Sequence, residues 1–121
     1  MEGRHLDRKQ IIYYLNVYNM KSGALLGHVT DITADGLSMI GEEEIKTGKV
    51  FHLRIELPHE MKSDQDLVVH ARSRWCRKDT DPSYFQSGYT FRRPSGNSLD
   101  IISRLISRYL YEEPEEDEEI L

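Results

Sequence analysis

Two short polar segments of this 121-residue chain contain side chains suited to ligand binding. Near the N-terminus, the segment RHLDR places Arg4 and Arg8 four residues apart. Guanidinium groups bind phosphates and carboxylates through paired hydrogen bonds. Charged residues at a chain end can also do no more than keep the protein soluble. RHLDR is therefore either an ordinary solvated segment or one half of a binding site.

The second segment is DITADG, residues 31–36, which lies where a predicted strand ends. Strand alternation places the side chains of Asp31 and Thr33 on the same face. Gly36 allows a tight turn or a positive φ, and it lets a ligand approach the backbone. A carboxylate, a hydroxyl group and open backbone are therefore predicted to meet at one edge, although a simple turn would use the same residue types.

Neither segment is specific alone. Arg104 and Arg108 repeat the arginine spacing within RLISR, where they belong to the polar face of a predicted helix. The pattern D-x-[ST]-x-x-G occurs by chance in roughly one chain in ten of this length. The order of the two segments is more informative, because the arginine pair precedes one predicted strand and DITADG follows on the next.

Length and composition favour one globular domain. Hydrophobic residues make up 38% of the chain and charged residues 31%, and the sequence contains neither an apolar run of membrane-spanning length nor a signal-peptide pattern. Cys76 is the single cysteine, which excludes an intrachain disulfide framework. We therefore expect a protein of the reducing cytoplasm.

The charge is divided unevenly along the chain. The tail EEPEEDEEIL, residues 112–121, contains seven acidic residues, and removing their charges takes the formal net charge from −5 to +2. Such a run of like charges cannot bury apolar surface and is predicted to be disordered. It either solubilises the protein or contacts a basic surface, on a partner or on the body of this chain.

Residues for catalysis or metal binding are not apparent. The five histidines have no short-spaced metal-binding pair, and one cysteine cannot build a zinc site. The sequence has no glycine-rich phosphate loop with lysine and no serine in a strand–turn–helix elbow. We therefore predict that the protein is not an enzyme and has no metal or cofactor.

The elements that would position DITADG are short strands followed by one helix. FHLRIELP, residues 51–58, alternates as a half-buried antiparallel strand does. In the later strands, Val69, Ala71 and Trp75 are predicted to point inward, and Gly88 suggests a bulge or a close backbone approach. The predicted strands are residues 11–18, 25–33, 36–41, 51–58, 67–76 and 84–92.

After Pro94 the apolar period changes to that of a helix. Its predicted apolar stripe begins at Leu99, its cap is Asn97 or Ser98, and Asp100 lies in its first turn. Six closely spaced strands and one amphipathic C-terminal helix predict an all-β fold, a small antiparallel barrel covered by that helix. A flatter sheet packed on the helix is the alternative.

Together the motifs resemble the PilZ domain, a bacterial receptor module for cyclic di-GMP. Arg4 and Arg8 match the family's R-x-x-x-R, and Asp31, Thr33 and Gly36 match its [DN]-x-S-x-x-G, with threonine in place of the usual serine. The resemblance covers nearly the whole chain. It implies a six-stranded antiparallel PilZ-type β-barrel followed by a helix.

The resemblance also implies a domain organisation and a mechanism. The PilZ domain would span residues 1–111, with a flexible arginine segment at 1–10, the barrel at 11–92 and the helix at 97–111. The arginines would close over cyclic di-GMP resting on the barrel beside Asp31, Thr33 and Gly36. Because no fused output domain is apparent, the signal would pass to a separate protein. Gly3, before the first arginine, favours one bound ligand over an intercalated pair.

Two other functions remain open from the sequence. Some PilZ-like proteins lack the ligand motifs and act only as protein adaptors, whereas both motifs are intact here. Small barrels with surface aromatics also bind single-stranded nucleic acid, and Tyr13, Tyr14 and Tyr18 are candidates for stacking. A body charge of only +2 argues against a polyanionic partner.

Overall fold

A computed structural model describes residues 15–61 and 66–110 of the chain, with side chains described as far as residue 108. Arg4, Arg8, the predicted strand residues 11–14 and the acidic tail lie outside the described residues. The structure therefore bears on the barrel, on DITADG and on most of the C-terminal helix.

The strands form a closed barrel, as predicted, and not a flat sheet. Every neighbouring pair is antiparallel, and the strand order is β1-β2-β3-β6-β5-β4, with β1 also pairing with β4. Closure leaves no open sheet edge. The strands are β1 (Asn16–Asn19), β2 (Leu25–Ile32), β3 (Gly36–Gly41), β4 (Val50–Ile55), β5 (Leu67–Lys78) and β6 (Phe85–Phe91).

Alternation along β4 sets the inside and the outside of the barrel. Phe51, Leu53 and Ile55 are buried, while His52 and Arg54 between them face outward and are half-buried. This is the pattern predicted for a strand with one face on the core. The same period in the other strands fills the interior with aliphatic side chains and encloses one continuous core.

β5 departs from this alternation at Trp75. The register shifts between Ser73 and Trp75, so one extra residue, Arg74, bulges from the strand. Ser73 is buried, but the side chain of Trp75 is 39% exposed. The prediction of an inward Trp75 is therefore wrong, because the bulge reverses the alternation. The prediction of a bulge or a close approach at Gly88 is confirmed, since Gly88 pairs with Trp75 across the strands.

The C-terminal helix α1 spans Gly96–Leu105 and continues as one π-helical turn, Ile106–Leu110. Its N-cap is Ser95, whose hydroxyl oxygen accepts a hydrogen bond from the N–H of Ser98 at 3.0 Å. The predicted caps Asn97 and Ser98 are thus wrong. Because the helix starts earlier than predicted, Asp100 lies beyond its first turn. Its carboxylate instead forms an ion pair with Arg104, with 3.4 Å between Oδ2 and Nε.

One face of α1 completes the core. Ile101, Ile102 and Leu105 are buried, whereas Leu99, predicted to lie on the apolar stripe, is 43% exposed. Ser98 fixes the start of the helix to the barrel, because its hydroxyl donates to the carbonyl oxygen of Val68 at 3.1 Å. Within the described ranges, no helix is long and apolar enough to cross a membrane.

The cap provides a test of the observed helix start. Ser95→Ala is expected to lower the free energy of unfolding by about 1 kcal/mol, because it leaves the N–H of Ser98 without its acceptor. Asn97→Ala is the matched control and should change it by less than about 0.5 kcal/mol. Urea unfolding curves measure both. A larger loss for Asn97→Ala would restore the cap predicted from the sequence.

Candidate functional site

The turn after β2 is held by hydrogen bonds that centre on Thr33. The backbone N–H of Thr33 donates to the Gly36 carbonyl at 2.8 Å, and the Thr33 hydroxyl oxygen accepts from the N–H of Asp35 at 3.2 Å. The carbonyl of Asp35 in turn accepts from the N–H of Phe91 at the end of β6. These hydrogen bonds therefore tie the turn to the barrel.

Asp31 and Thr33 lie on the outer face at the end of β2. Both are exposed, and Ile32 between them is buried. A register shift between Val29 and Asp31 resets the alternation just before this point. Asp31 pairs with Ser38 of β3, so its carboxylate lies at the border of the β2–β3 surface.

Gly36 does not adopt the positive φ that was one of its predicted conformations. Among the described glycines, only Gly23 and Gly48 have positive φ. Gly36 instead lets two strands approach, because a Cβ at this position would overlap the carbonyl oxygen of Tyr89 in β6. The glycine of DITADG is therefore required for packing between β3 and β6, and it also keeps this surface shallow.

The row of residues opposite Asp31 forms the floor of a groove. Ser38 pairs with Gly88, and Gly88 pairs with Trp75 on the next strand. A Cβ at Gly88 would overlap the indole ring, so the ring lies directly over this glycine. A cross-strand aromatic covering a glycine is a recurrent device in sheets. It fixes the ring at the edge of the groove.

The groove is open and has a volume of about 490 Å³. It contains two carboxylates, those of Asp31 and Asp35, and one guanidinium group, that of Arg74. Within the part of the chain that the structure describes, Arg74 has neither an ion pair nor a side-chain hydrogen bond. The remaining lining residues are Thr33, Gly36, Leu37, Ser38, Trp75, Gly88, Tyr89 and Thr90.

Two of the aromatic residues around the groove differ in role. The guanidinium of Arg77 lies 4.9 Å from the centre of the Trp75 ring and orients it from one side. Tyr89 is buried beneath the groove, and burial raises the pKa of its hydroxyl to about 12. Tyr89 is therefore a neutral part of the floor, with its hydroxyl accepting a hydrogen bond from Ser87.

Sequence reasoning missed Arg74 and Trp75 as groove residues. Strict alternation along β5 assigned Trp75 to the core, but the bulge at Arg74 leaves the side chain of Trp75 outside, next to that of Arg74. Gly88 was the available signal, since a glycine within a strand provides room for a large ring on the neighbouring strand.

The described chain begins close to this groove. The carbonyl of Leu15 accepts a hydrogen bond from the N–H of Val29 at 2.9 Å, and Asn16 pairs with His28. Because β1 and β2 are antiparallel, Leu15 lies towards the end of β2 that carries Asp31. Arg8 is connected to Leu15 by at most about 25 Å of extended chain.

The described histidines do not form a metal centre. His52 and His70 face each other across β4 and β5, with their rings stacked 4.0 Å apart. Within residues 15–61 and 66–110, no group of three or more His, Cys, Asp or Glu residues could hold a metal ion.

The sequence matches the PilZ domain over residues 7–111, which is most of its length. This chain belongs to the PilZ family. The match includes Arg8 and all of DITADG, and begins after Arg4. A search of curated proteins by sequence gave no match.

Solved structures with the same fold include the following three proteins. The PilZ domain of YcgR from Escherichia coli, with c-di-GMP, is 11% identical, with a TM-score of 0.62 over 90% of this chain and 92% of that one. PlzA of Borreliella burgdorferi, in complex with c-di-GMP, is 12% identical, with a TM-score of 0.53 over 90% of this chain. The inhibitor of motility MotI/DgrA of Bacillus subtilis is 17% identical, with a TM-score of 0.64 over 79%.

Two of these proteins are longer than the region they share with this chain. The match covers 46% of the MotI/DgrA chain and 57% of the PlzA chain. At these identities the likeness establishes a common fold, the barrel and its helix.

Proposed function

We propose that this protein is a cyclic di-GMP receptor whose ligand rests on the outer groove between Asp31 and Trp75. The observation that carries the proposal is the meeting of Asp31, Thr33 and Trp75 on one open surface, in a chain of the PilZ family. That surface lies at the same end of β2 as Leu15, the first described residue of the chain.

The groups of the groove match the parts of the ligand. An ionised Asp31 accepts hydrogen bonds only, which suits the N1 and N2 donors of a guanine. A guanidinium binds the O6 and N7 edge of guanine, or a phosphate, with two parallel hydrogen bonds, and Arg74 is free to do either. The exposed indole of Trp75 offers a stacking surface for a base.

The N-terminal arginines complete the proposed site. Arg4 and Arg8 would bind the guanine edges and phosphates that the acidic half of the groove leaves unpaired. Ordering a chain costs about 1–2 kcal/mol per residue, while each charge-assisted hydrogen bond contributes about 1.5–3 kcal/mol. The entropy cost therefore limits closure to a short segment. The two arginines lie four residues apart, so a short segment contains both of them.

In the proposed mechanism, the C-terminal helix would transmit the closure to a separate protein. Ala34, beside Thr33 in the turn, borders the same groove as Leu99, Ile102 and Ile106 of the helical region. A ligand that displaces the turn would change the surface shared by the turn and the helix. The proposed output is thus a protein contact that responds to cyclic di-GMP.

The proposal makes the chain a receptor and not an enzyme, acting in the cytoplasm, with residues 1–111 as the functional domain. Single-stranded nucleic acid is a weaker candidate, because the one described tyrosine of the predicted stacking set, Tyr18, is half-buried. The guanidinium of Arg54 covers its ring at 4.2 Å. If the protein acted only as an adaptor between other proteins, the groove beside Asp31 would bind no ligand.

A binding panel distinguishes these functions. We expect the intact protein to bind cyclic di-GMP with a dissociation constant between about 1 µM and tens of nanomolar. GTP, cyclic di-AMP and a single-stranded oligonucleotide should bind far more weakly. Equal affinity for all four with a steep dependence on salt would favour nucleic-acid binding, and failure of all four to bind would favour the adaptor.

Trp75 provides a further test of the groove. Trp75→Ala is expected to weaken cyclic di-GMP binding by about 1 kcal/mol, through loss of a stacking surface. Tyr84→Ala is the matched control, because Tyr84 is 37% exposed and lies outside this groove. Isothermal titration calorimetry measures both. Equal affinities for the wild type and Trp75→Ala would remove Trp75 from the site.

A further inference from the structure

A second surface of the barrel, next to the ligand groove, concentrates lysine, arginine and histidine side chains. It crosses β4, β5 and the residue after β6, where the backbone N–H of Arg92 donates to the carbonyl of His70 at 2.8 Å. His70 is itself paired with His52, and Val50 is paired with Arg72. We call this surface the basic band, which consists of Lys21, Lys49, His52, His70, Arg72 and Arg92.

Part of the basic band lines a groove of about 470 Å³ that contains no carboxylate. The ion pairs among the described residues are Arg54–Asp66 and Arg104–Asp100. The lysines and arginines of the basic band take part in neither of them. The guanidinium of Arg72 donates to the backbone carbonyl of Gly48, and the ammonium of Lys49 lies over the Phe51 ring. Within residues 15–61 and 66–110, the lysines and arginines of the band therefore have no carboxylate partner.

The chain contains a segment with the complementary composition. The tail at residues 112–121 combines seven carboxylates with the aliphatic pair Ile120–Leu121 and has no cation. The groove of the basic band matches both features, because Met20 exposes an apolar side chain beside Lys21 and Lys49. Opposite charges on two surfaces attract and set their orientation.

Tethering favours the tail over a separate anionic molecule. Eleven residues follow Leu110 and can extend over about 36 Å, which is enough to reach another face of a domain of this size. A tethered segment has an effective concentration in the millimolar range. A nucleic acid or an anionic membrane would have to bind a body of net charge only +2 in competition with the tail.

We propose that the basic band is the docking site for the chain's own acidic tail. The contact is electrostatic, with Ile120 and Leu121 placed against the apolar edge at Met20. It does not depend on cyclic di-GMP, and the groove at Lys21 and Lys49 shares no lining residue with the ligand groove.

A spin label on the tail tests the proposal in the full chain. Ile120→Cys is labelled with a nitroxide in a Cys76→Ser background, where serine keeps an acceptor for the N–H of Ile45. At low salt, the nitroxide should broaden the NMR signals of nearby amide protons, so the signals of residues 19–21, 49–52 and 70 should lose intensity. The intensity should return in 1 M salt, where the Debye length is about 3 Å.

Charge variants identify the surface. Replacing Lys21 and Lys49 with glutamine should abolish the salt-sensitive loss of intensity, whereas replacing the exposed Lys46 and Lys78, outside the band, should preserve it. Intensity loss centred on the ligand groove around Arg74, or spread evenly over the barrel, would overturn the proposal.

A second measurement does not depend on Cys76 or a label. In the otherwise unmodified chain, neutralising the seven tail carboxylates with glutamine and asparagine should shift the band amides at low salt and leave them unchanged at 1 M salt. Unshifted band amides at low salt would also overturn the proposal.

Discussion

Arg8→Ala is expected to weaken cyclic di-GMP binding by at least about 2 kcal/mol, or about thirtyfold. The described half of the groove contains the carboxylates of Asp31 and Asp35 and only one guanidinium, that of Arg74. A dianionic ligand therefore needs additional cations, which Arg4 and Arg8 would supply. Because alanine removes a paired, charge-assisted contact, the loss should appear as a lower affinity at unchanged stoichiometry.

The chain contains its own control for this substitution. Arg108 belongs to the second R-x-x-x-R segment, RLISR, and lies exposed in the π-helical turn. Arg108→Ala removes the same charge, so its small effect would separate a specific contact from general electrostatic attraction. Equal losses for the two variants would contradict the assignment of Arg8, and an unchanged affinity for Arg8→Ala would remove it from the site.

Gly36→Ala is expected to lower the free energy of unfolding by about 1–3 kcal/mol, because the added methyl group must be accommodated by moving a strand. A Cβ at Gly36 would overlap the carbonyl oxygen of Tyr89, which is backbone and cannot rotate away. Urea unfolding of the variant and the wild type measures the difference.

Gly96→Ala is the matched control for this substitution. Gly96 lies in α1, where an added Cβ would meet no atom within 4 Å, so stability should change by less than about 0.5 kcal/mol. A Gly36→Ala protein of wild-type stability with lost affinity would contradict the packing role. It would mean that Gly36 serves ligand approach alone.

The barrel could be predicted because its strands obey a simple period. Phe51, Leu53 and Ile55 alternate with polar residues in the sequence, and their side chains are buried in the structure. The helix was also predictable from its apolar spacing, but its start was not. By residue type, the helix could be capped by Ser95, Asn97 or Ser98. The choice of Ser95 depends on how the helix packs on the barrel, through contacts such as the hydrogen bond from Ser98 to Val68.

The candidate site could be predicted only in part. Alternation correctly placed Asp31 and Thr33 on one exposed face. It failed at Trp75, because a bulge is a property of two paired strands and does not change the pattern of either strand alone. The role of Arg4 and Arg8 stays a prediction, since it rests on the PilZ resemblance and both residues lie outside the described ranges.

The most direct test of the central claim is a calorimetric titration of the intact protein with cyclic di-GMP. We predict saturable binding with a dissociation constant between about 1 µM and tens of nanomolar. The resemblance of the segment from Gly3 to Arg8 to the PilZ pattern predicts one ligand per chain and not an intercalated pair. Absence of saturable binding by the folded protein at ligand concentrations far above about 1 µM would contradict the receptor function.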